Sequence, residues 1–144
     1  MSKKIRLAGI AYESLVNGPG MRRVYFSQGC RHNCEDMDEL IEDALDNPLL
    51  KGITFSGGDP LERAEEFAYM AKAFKKAGLN IWCYTGYTFE DVLEKMKKDN
   101  NIKDLIENID VLVDGRFEKD KKVDGLKFKG SSNQRLIDVK KSLK

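Results

Sequence analysis

The chain has 144 residues and a mass of 16.4 kDa, a length typical of one domain with a full hydrophobic core. Lysine and arginine number 25 against 24 aspartate and glutamate residues, so the charge gives no reason to expect a nucleic-acid partner. No segment approaches the roughly 20 consecutive apolar residues that cross a bilayer, and the N-terminus lacks a secretory pattern. We expect a single domain, 1–144, in the cytoplasm, with neither a membrane nor nucleic acid as a partner.

The apolar pattern predicts strands that alternate with helices along the chain. Strands are predicted at 24–26, 52–56, 79–84 and 109–113, where β-branched and aromatic residues cluster. Amphipathic helices are predicted from apolar stripes at 37, 40, 41, 44 and 45, at 64, 67, 68, 71, 74 and 77, and at 89, 92, 93 and 96, with further helical turns at 102–108. The C-terminal part predicts a strand at 126–128, a polar turn at 130–135 and a strand at 136–139.

This alternation predicts an α/β fold with right-handed crossovers and a mostly parallel sheet. In such folds ligands bind where the carboxyl ends of the strands meet their loops. Four polar segments each follow a predicted strand, and we expect them to lie along one edge of the sheet. They are residues 27–34, 57–59, 85–87 and 114–116.

Residues 27–34 hold two of the three cysteines, Cys30 and Cys34, and the single histidine, His32. In an intracellular protein a close cysteine pair is more often a metal or redox site than a disulfide. Thiolates select zinc, copper(I) or iron–sulfur clusters, and nearby glycines let a ligand approach the backbone. We interpret His32 as an exposed loop residue. The third cysteine, Cys83, is predicted to pack in the core of a strand.

Several motifs then occur in a specific order between residues 17 and 139. They are N-G-P-G-M-R at 17–22, G-C-R-H-N-C at 29–34, S-G-G-D-P-L at 56–61, W-C-Y-T-G-Y-T at 82–88, D-V-L-V-D-G-R-F at 110–117 and G-S-S-N-Q-R at 130–135. Together they resemble the radical S-adenosylmethionine activating enzymes, most closely those that act on anaerobic ribonucleoside-triphosphate reductases. The last two motifs discriminate best within that family.

The resemblance implies an open partial (β/α) barrel of mostly parallel strands with outer helices. It implies a [4Fe-4S] cluster held by three cysteines, Cys30 and Cys34 among them, and S-adenosylmethionine as the second cofactor. No catalytic side chain is implied beyond these cofactors. The implied cofactor-binding residues are Gly57, Gly58, Asp59, Pro60, Thr85, Asp114, Ser131, Asn133 and Arg135.

The implied activity is reductive cleavage of S-adenosylmethionine with an electron from a flavodoxin-type donor. The resulting 5′-deoxyadenosyl radical would take a hydrogen atom from a glycine of the large reductase subunit, the implied partner. The cofactors would supply the chemistry, and the protein would orient them.

The sequence departs from the family's C-x3-C-x2-C pattern at its third cysteine, because position 37 is Met37. A thioether does not replace a thiolate in such a cluster. We therefore hypothesise that a segment carrying the third cysteine is missing between Glu35 and Asp36.

Two alternatives remain open at this point. The chain could activate another glycyl-radical enzyme, such as pyruvate formate-lyase, although residues 130–135 argue against this. If the third cysteine is truly absent, the chain could instead be a cluster-free binding or regulatory module with the same fold.

Overall fold

The computed structural model describes residues 4–7, 9–14, 19–27, 33–57, 59–115 and 133–142, and for residues 6 and 33–35 it describes the backbone alone. The described strands are β1 (Lys4–Leu7), β2 (Gly9–Ser14), β3 (Arg22–Phe26), β4 (Asn33–Asp36), β5 (Gly52–Ser56), β6 (Asn80–Tyr84), β7 (Val111–Asp114) and β8 (Arg135–Asp138). The described helices are α1 (Met37–Leu45), a 3-10 turn (Pro60–Arg63), α2 (Ala64–Lys76), α3 (Phe89–Lys98), α4 (Asn100–Glu107) and α5 (Val139–Ser142).

Six strands form one mixed sheet in the order β2-β3-β5-β6-β7-β8. The four central strands, β3, β5, β6 and β7, run parallel. Both edge strands, β2 and β8, pair antiparallel with their neighbours. The predicted α/β class with a mostly parallel core is confirmed. The described strands do not close into a barrel, and the open partial barrel stays a prediction.

A second, two-stranded sheet pairs β1 with β4, and it corrects one expectation. The cysteine stretch was expected to be a loop, but Cys34 lies within β4, opposite Arg6 of the antiparallel strand β1. Asp36 ends β4 and also caps α1, because its carboxylate accepts hydrogen bonds from the backbone N–H groups of Asp38 and Glu39. In the printed sequence the strand therefore passes into the helix without a loop.

The predicted helices are present, with small errors at their ends. Leu45 was assigned to the buried stripe of α1 but is 44% exposed. Ala77 is also exposed, because α2 ends at Lys76 and Ala77 is its C-cap. Gly78 follows with a φ of +88°, the left-handed conformation in which glycine commonly ends a helix. No helix among the described residues is long and apolar enough to span a membrane.

Two predicted strands are displaced by one or two residues. The strand expected at 109–113 is β7, which ends at Asp114, and the strand expected at 136–139 is β8, which begins at Arg135. Val139 belongs to α5 instead. The strand expected at 126–128 lies outside the described residues.

A buried arginine joins the amino ends of three parallel strands. Arg22 is fully buried, and its guanidinium donates to Thr54 Oγ1 (2.9 Å) and to the backbone oxygens of Pro19, Ile53 and Asn80 (3.0, 2.8 and 2.9 Å). Burial lowers the pKa of Arg22 to about 10. These contacts fix the base of the sheet, at the opposite end of the strands from the predicted site.

The core between the sheet and the helices is continuous. Phe55 packs against Phe67 with ring centroids 4.7 Å apart, and Tyr25 stacks on Phe74 at 6.0 Å. Cys83 is fully buried in this core, which confirms its predicted packing role.

Candidate functional site

The carboxyl ends of the four parallel strands form one edge of the main sheet, which we call the rim. Backbone hydrogen bonds extend past the strand ends there: Ser27 N donates to Ser56 O (2.9 Å) and Thr85 N to Val113 O (3.0 Å). The rim consists of Ser27 after β3, Gly57, Asp59 and Pro60 after β5, Thr85, Gly86 and Tyr87 after β6, and Asp114 and Gly115 at the end of β7. The segments after β5, β6 and β7 that were predicted to share one edge do so where they are described, whereas of the cysteine segment 27–34 only Ser27 is placed there and Cys34 lies in the second sheet.

Gly57 occupies a position that only glycine fits without strain. Its φ is +71°, and a Cβ there would lie 3.0 Å from Phe26 Cβ. Ser27 Oγ donates to the Gly57 carbonyl oxygen at 3.2 Å, which ties the ends of β3 and β5 together. The backbone at Gly57 thus remains uncovered by a side chain of its own, as close approach of a ligand requires. Its neighbour Gly58 lies outside the described residues.

The carboxylate of Asp59 connects the loop after β5 to the turn after β6. It accepts the Thr85 hydroxyl hydrogen bond (2.9 and 3.0 Å to its two oxygens) and the Gly86 N–H (3.0 Å). It also accepts the Leu61 N–H at 3.1 Å and so caps the 3-10 turn that starts at Pro60. A carboxylate has about four acceptor positions, so these donors occupy most of its capacity.

Burial raises the pKa of the Asp59 carboxyl above its ordinary value, and the hydrogen bonds from Gly86, Leu61 and Thr85 oppose that rise. Thr85 is only 4% exposed, and its hydroxyl also accepts the Tyr87 N–H at 3.2 Å. Tyr87 in turn donates its phenolic hydrogen to Glu62 of the 3-10 turn. The rim segments after β5 and β6 are therefore preorganised by side chains rather than by sheet pairing alone.

Asp114 is 1% exposed and organises the end of β7. Its carboxylate accepts the Phe89 N–H (2.8 Å) at the start of α3 and the Arg135 backbone N–H (3.0 Å) at the start of β8. The Arg135 guanidinium donates to the same carboxylate through Nε (3.0 and 3.1 Å) and through Nη2. One buried carboxylate thus joins a strand end, a helix start and an edge strand.

Arg135 has a second carboxylate partner, Glu90, in the first turn of α3. Arg135 Nη2 donates to the Glu90 oxygens at 2.8 and 3.3 Å. The contacts with Asp114 and Glu90 raise the pKa of Arg135, and its hydrogen bond to Glu90 lowers the pKa of that glutamate.

The residues predicted near the C-terminus lie beside the same strand end. Gly115 has a φ of +90°, and a Cβ there would lie 3.4 Å from Asn133 Nδ2. Gln134 donates its side-chain amide to the Gly115 oxygen at 3.0 Å. Asn133 and Arg135 are thus brought to the Asp114 end of the rim, whereas Ser131 lies outside the described residues.

The metal ligands predicted from the cysteine pair are described only in part. Cys30 lies outside the described residues, and Cys34 is placed by its backbone in β4. Met37, at the position of the implied third ligand, is 1% exposed and packs in the core, so it does not replace a thiolate. Among the described residues no three histidine, cysteine, aspartate or glutamate side chains group to hold a metal ion. The printed sequence therefore supplies two thiolates and does not complete a three-cysteine site.

The sequence-based prediction missed Glu90 and Gln134 as members of this network. Glu90 lies only three residues after the turn that follows β6, in the first turn of a helix. That position could have identified it from the sequence as a residue near the rim. Gln134 was part of a quoted motif but was given no role. The backbone N–H groups of Leu61 and Gly86 carry no side-chain signature, so sequence reasoning could not assign them.

Comparison with known proteins places this rim in a family. Residues 16–137 match the family model of the 4Fe-4S single cluster domain. The chain is 34% identical to the anaerobic ribonucleoside-triphosphate reductase-activating protein of Enterobacteria phage T4, over 84% of this chain and 86% of the relative. It is 32% identical to the protein of that name from Vibrio cholerae and 31% identical to the one from Escherichia coli, over 83% of this chain and 89% and 90% of the relatives.

The matched domain and the α/β rim define the class, a protein with a single-cluster 4Fe-4S domain. Within that class the chain belongs to the family of anaerobic ribonucleoside-triphosphate reductase-activating proteins.

Proposed function

We propose that this chain is an enzyme that activates an anaerobic ribonucleoside-triphosphate reductase by generating a glycyl radical on it. Its cofactors are a [4Fe-4S] cluster and S-adenosylmethionine, in keeping with the matched single-cluster domain and the activating proteins it resembles. The observation that carries the proposal is the 31–34% identity, over 83–84% of this chain, to proteins named for activating this reductase. The match to the cluster domain over residues 16–137 includes every described strand end of the rim.

The geometry supports different roles for the rim residues. Gly57, whose backbone carries no side chain, suits direct contact with S-adenosylmethionine, and we assign the same role to Gly58 and Pro60. Asp59 and Thr85 hold that loop in place through the hydrogen bonds described above. Contacts of Ser131 and Asn133 with the cofactor stay predictions.

We also propose that the working protein contains a segment between Glu35 and Asp36 that the printed sequence lacks, and that this segment carries the third cysteine. The alignment with the phage relative has 143 positions but covers 84% of this 144-residue chain, so about 22 positions of the relative face no residue here. Unmatched positions inside the alignment are what a missing internal segment would produce, so their number supports the proposal. Its placement rests on the cysteine spacing of the family, because position 37, where the third cysteine is expected, is Met37.

The segment is tested by the intact mass of the protein purified from its natural source. We expect a mass above 16.4 kDa and a peptide that joins Glu35 to Asp36 through additional residues. A mass equal to that of the printed sequence would show that the chain has only two cysteines in this stretch and would favour the cluster-free module.

The activity is tested by electron paramagnetic resonance. The intact protein, reconstituted anaerobically with iron and sulfide, is mixed with S-adenosylmethionine, a reductant and the purified reductase, and we expect a glycyl-radical signal on the reductase. The Cys34→Ser variant should give none, whereas Glu107→Gln, an exposed change on α4, should match the parent protein. A radical on pyruvate formate-lyase but not on the reductase would contradict the proposal.

The relatives described above are named for the reductase, which favours this target over another glycyl-radical enzyme. We propose a flavodoxin-type protein as the electron donor. The cytoplasmic location stays a prediction.

A further inference from the structure

We propose that Arg135 is a docking residue for a carboxylate of the reductase, and that Glu90 occupies its guanidinium until the reductase binds. The identity of the partner rests on the proposed function. Three observations support the docking role itself. The two carboxylates that bind Arg135 differ in accessibility, Arg135 lies at the edge of the sheet, and a groove begins at Glu90.

The two carboxylates that bind Arg135 differ sharply in accessibility. The side chain of Asp114 is 1% exposed and that of Glu90 is 67% exposed, while Arg135 itself is 49% exposed. Asp114 also accepts two backbone N–H groups, so it holds Arg135 as part of the fold. An exposed ion pair contributes little to stability, because water competes for both groups. The Glu90 contact can therefore be exchanged for another carboxylate, while Asp114 keeps the guanidinium in place.

The position of Arg135 favours a protein partner over a small ligand at the centre of the rim. Arg135 begins the edge strand β8, and the sheet order places β6 and β7 between β8 and β5, which ends beside Gly57. Three strand spacings of about 4.8 Å put these strand ends about 14 Å apart. The next residue, Leu136, is 44% exposed, so the edge also presents an apolar side chain.

A groove with a volume of about 550 Å³ runs along the outer surface of α3 towards α4 and includes Glu90. Its lining residues are Glu90, Leu93, Glu94, Met96, Lys97 and Lys103. Leu93 and Met96 supply apolar contact surface, and methionine adapts readily to different partners. Because α3 begins directly after the rim, the groove starts at Glu90, beside Arg135, and extends along α3 away from the rim. The partner that fits both features is a protein segment with a carboxylate at the rim and an apolar side chain over Leu93 and Met96.

The test measures the dissociation constant of the intact protein for the purified reductase. We expect Glu90→Gln to tighten binding by up to about fivefold, because it removes the competing carboxylate, and the gain should shrink as salt is added. Glu107→Gln makes the same chemical change at an exposed α4 position outside the groove and should leave binding unchanged. Unchanged or weaker binding by Glu90→Gln would overturn the proposal.

Two further variants separate the guanidinium from the groove. Arg135→Lys keeps the charge but loses the planar fork that two carboxylates share, so it should weaken binding and abolish the effect of Glu90→Gln. Leu93→Asp should weaken binding at least tenfold with S-adenosylmethionine affinity unchanged. If Glu90→Gln changes the affinity for S-adenosylmethionine but not for the reductase, Arg135 serves the cofactor and the docking proposal fails. Failure of the unmodified protein to bind any reductase would overturn the proposed function as well.

Discussion

The hydrogen bond from Thr85 to Asp59 gives the sharpest test of how the rim is held. Thr85 is 4% exposed, and Thr85→Val keeps the shape of its side chain but removes the hydroxyl that donates to the Asp59 carboxylate at 2.9 Å. A hydrogen bond to a charged group contributes about 1.5–3 kcal/mol. The change also takes away the acceptor of the Tyr87 N–H. We expect the free energy of unfolding to fall by about 2–3 kcal/mol at neutral pH.

Thr85→Ser is the matched control, because it keeps the hydroxyl and loses one buried methyl group. Its expected cost is about 1 kcal/mol. The assay is urea unfolding followed by the fluorescence of the single tryptophan, Trp82, which is buried in the folded protein at 6% exposure.

The decrease in unfolding free energy caused by Thr85→Val should depend on pH, because the hydrogen bond from Thr85 favours the ionised form of Asp59. Burial holds the pKa of Asp59 above 3.8, so this group makes the folded protein less stable as pH rises from 3.8 through the folded pKa. Without the Thr85 hydrogen bond the pKa of Asp59 in the folded protein rises further. The free energy of unfolding then continues to decrease up to a higher pH. The free energy of unfolding of Thr85→Val should therefore fall furthest below that of the unmodified protein at neutral pH, and the difference should be smallest below pH 3.8.

Two results would refute this reasoning. One is a valine variant no less stable than the serine variant at neutral pH. The other is a destabilisation of the valine variant that is as large below pH 3.8 as at neutral pH, which would show that the hydroxyl acts independently of the ionised carboxylate.

Three further substitutions test the rest of the structure. Gly57→Ala should cost about 1–3 kcal/mol more than Gly78→Ala in urea unfolding, because both have a positive φ but only Gly57 has a neighbour, Phe26, in the way; equal costs would remove the steric argument. Arg22→Met should lower the free energy of unfolding by about 3 kcal/mol or more, since buried carbonyl groups lose their donor. An unchanged free energy of unfolding in the same assay would contradict the stabilising role of the Arg22 hydrogen bonds at the amino ends of the strands. Met37→Leu should change stability by less than about 1.5 kcal/mol, as expected for a core residue, and should leave the absorption spectrum of the reconstituted cluster unchanged; loss of the cluster signal in a stably folded variant would mean that Met37 is a ligand.

The alternation of apolar stripes was sufficient to predict the α/β class and the shared edge. Each predicted strand was short and bounded by glycine or polar residues, and the parallel order followed from the crossover helices. The rule that ligands bind at the carboxyl ends of strands then brought Gly57, Asp59, Thr85 and Asp114 to one rim before any contact was known.

The local pattern could not predict the small sheet that contains Cys34. The four residues of β4 have no apolar alternation, and the strand exists because it pairs with β1, whose Ile5 and Leu7 are buried. Such pairing is decided by tertiary packing rather than by the propensity of the segment. The Glu90 contact was missed for a similar reason, because it joins residues 45 positions apart in the chain.

The contacts of Arg22 have a consequence for the order in which the molecule opens. Because one guanidinium binds the starts of β3, β5 and β6, amide hydrogens there should exchange with solvent in a single cooperative event. A Cβ at Gly52 would lie 2.5 Å from both Arg22 Nη1 and the Asn80 oxygen, so the space left by that glycine is what allows the three strands to meet. Hydrogen exchange at the base should therefore stay slow when the carboxyl ends of the same strands open locally.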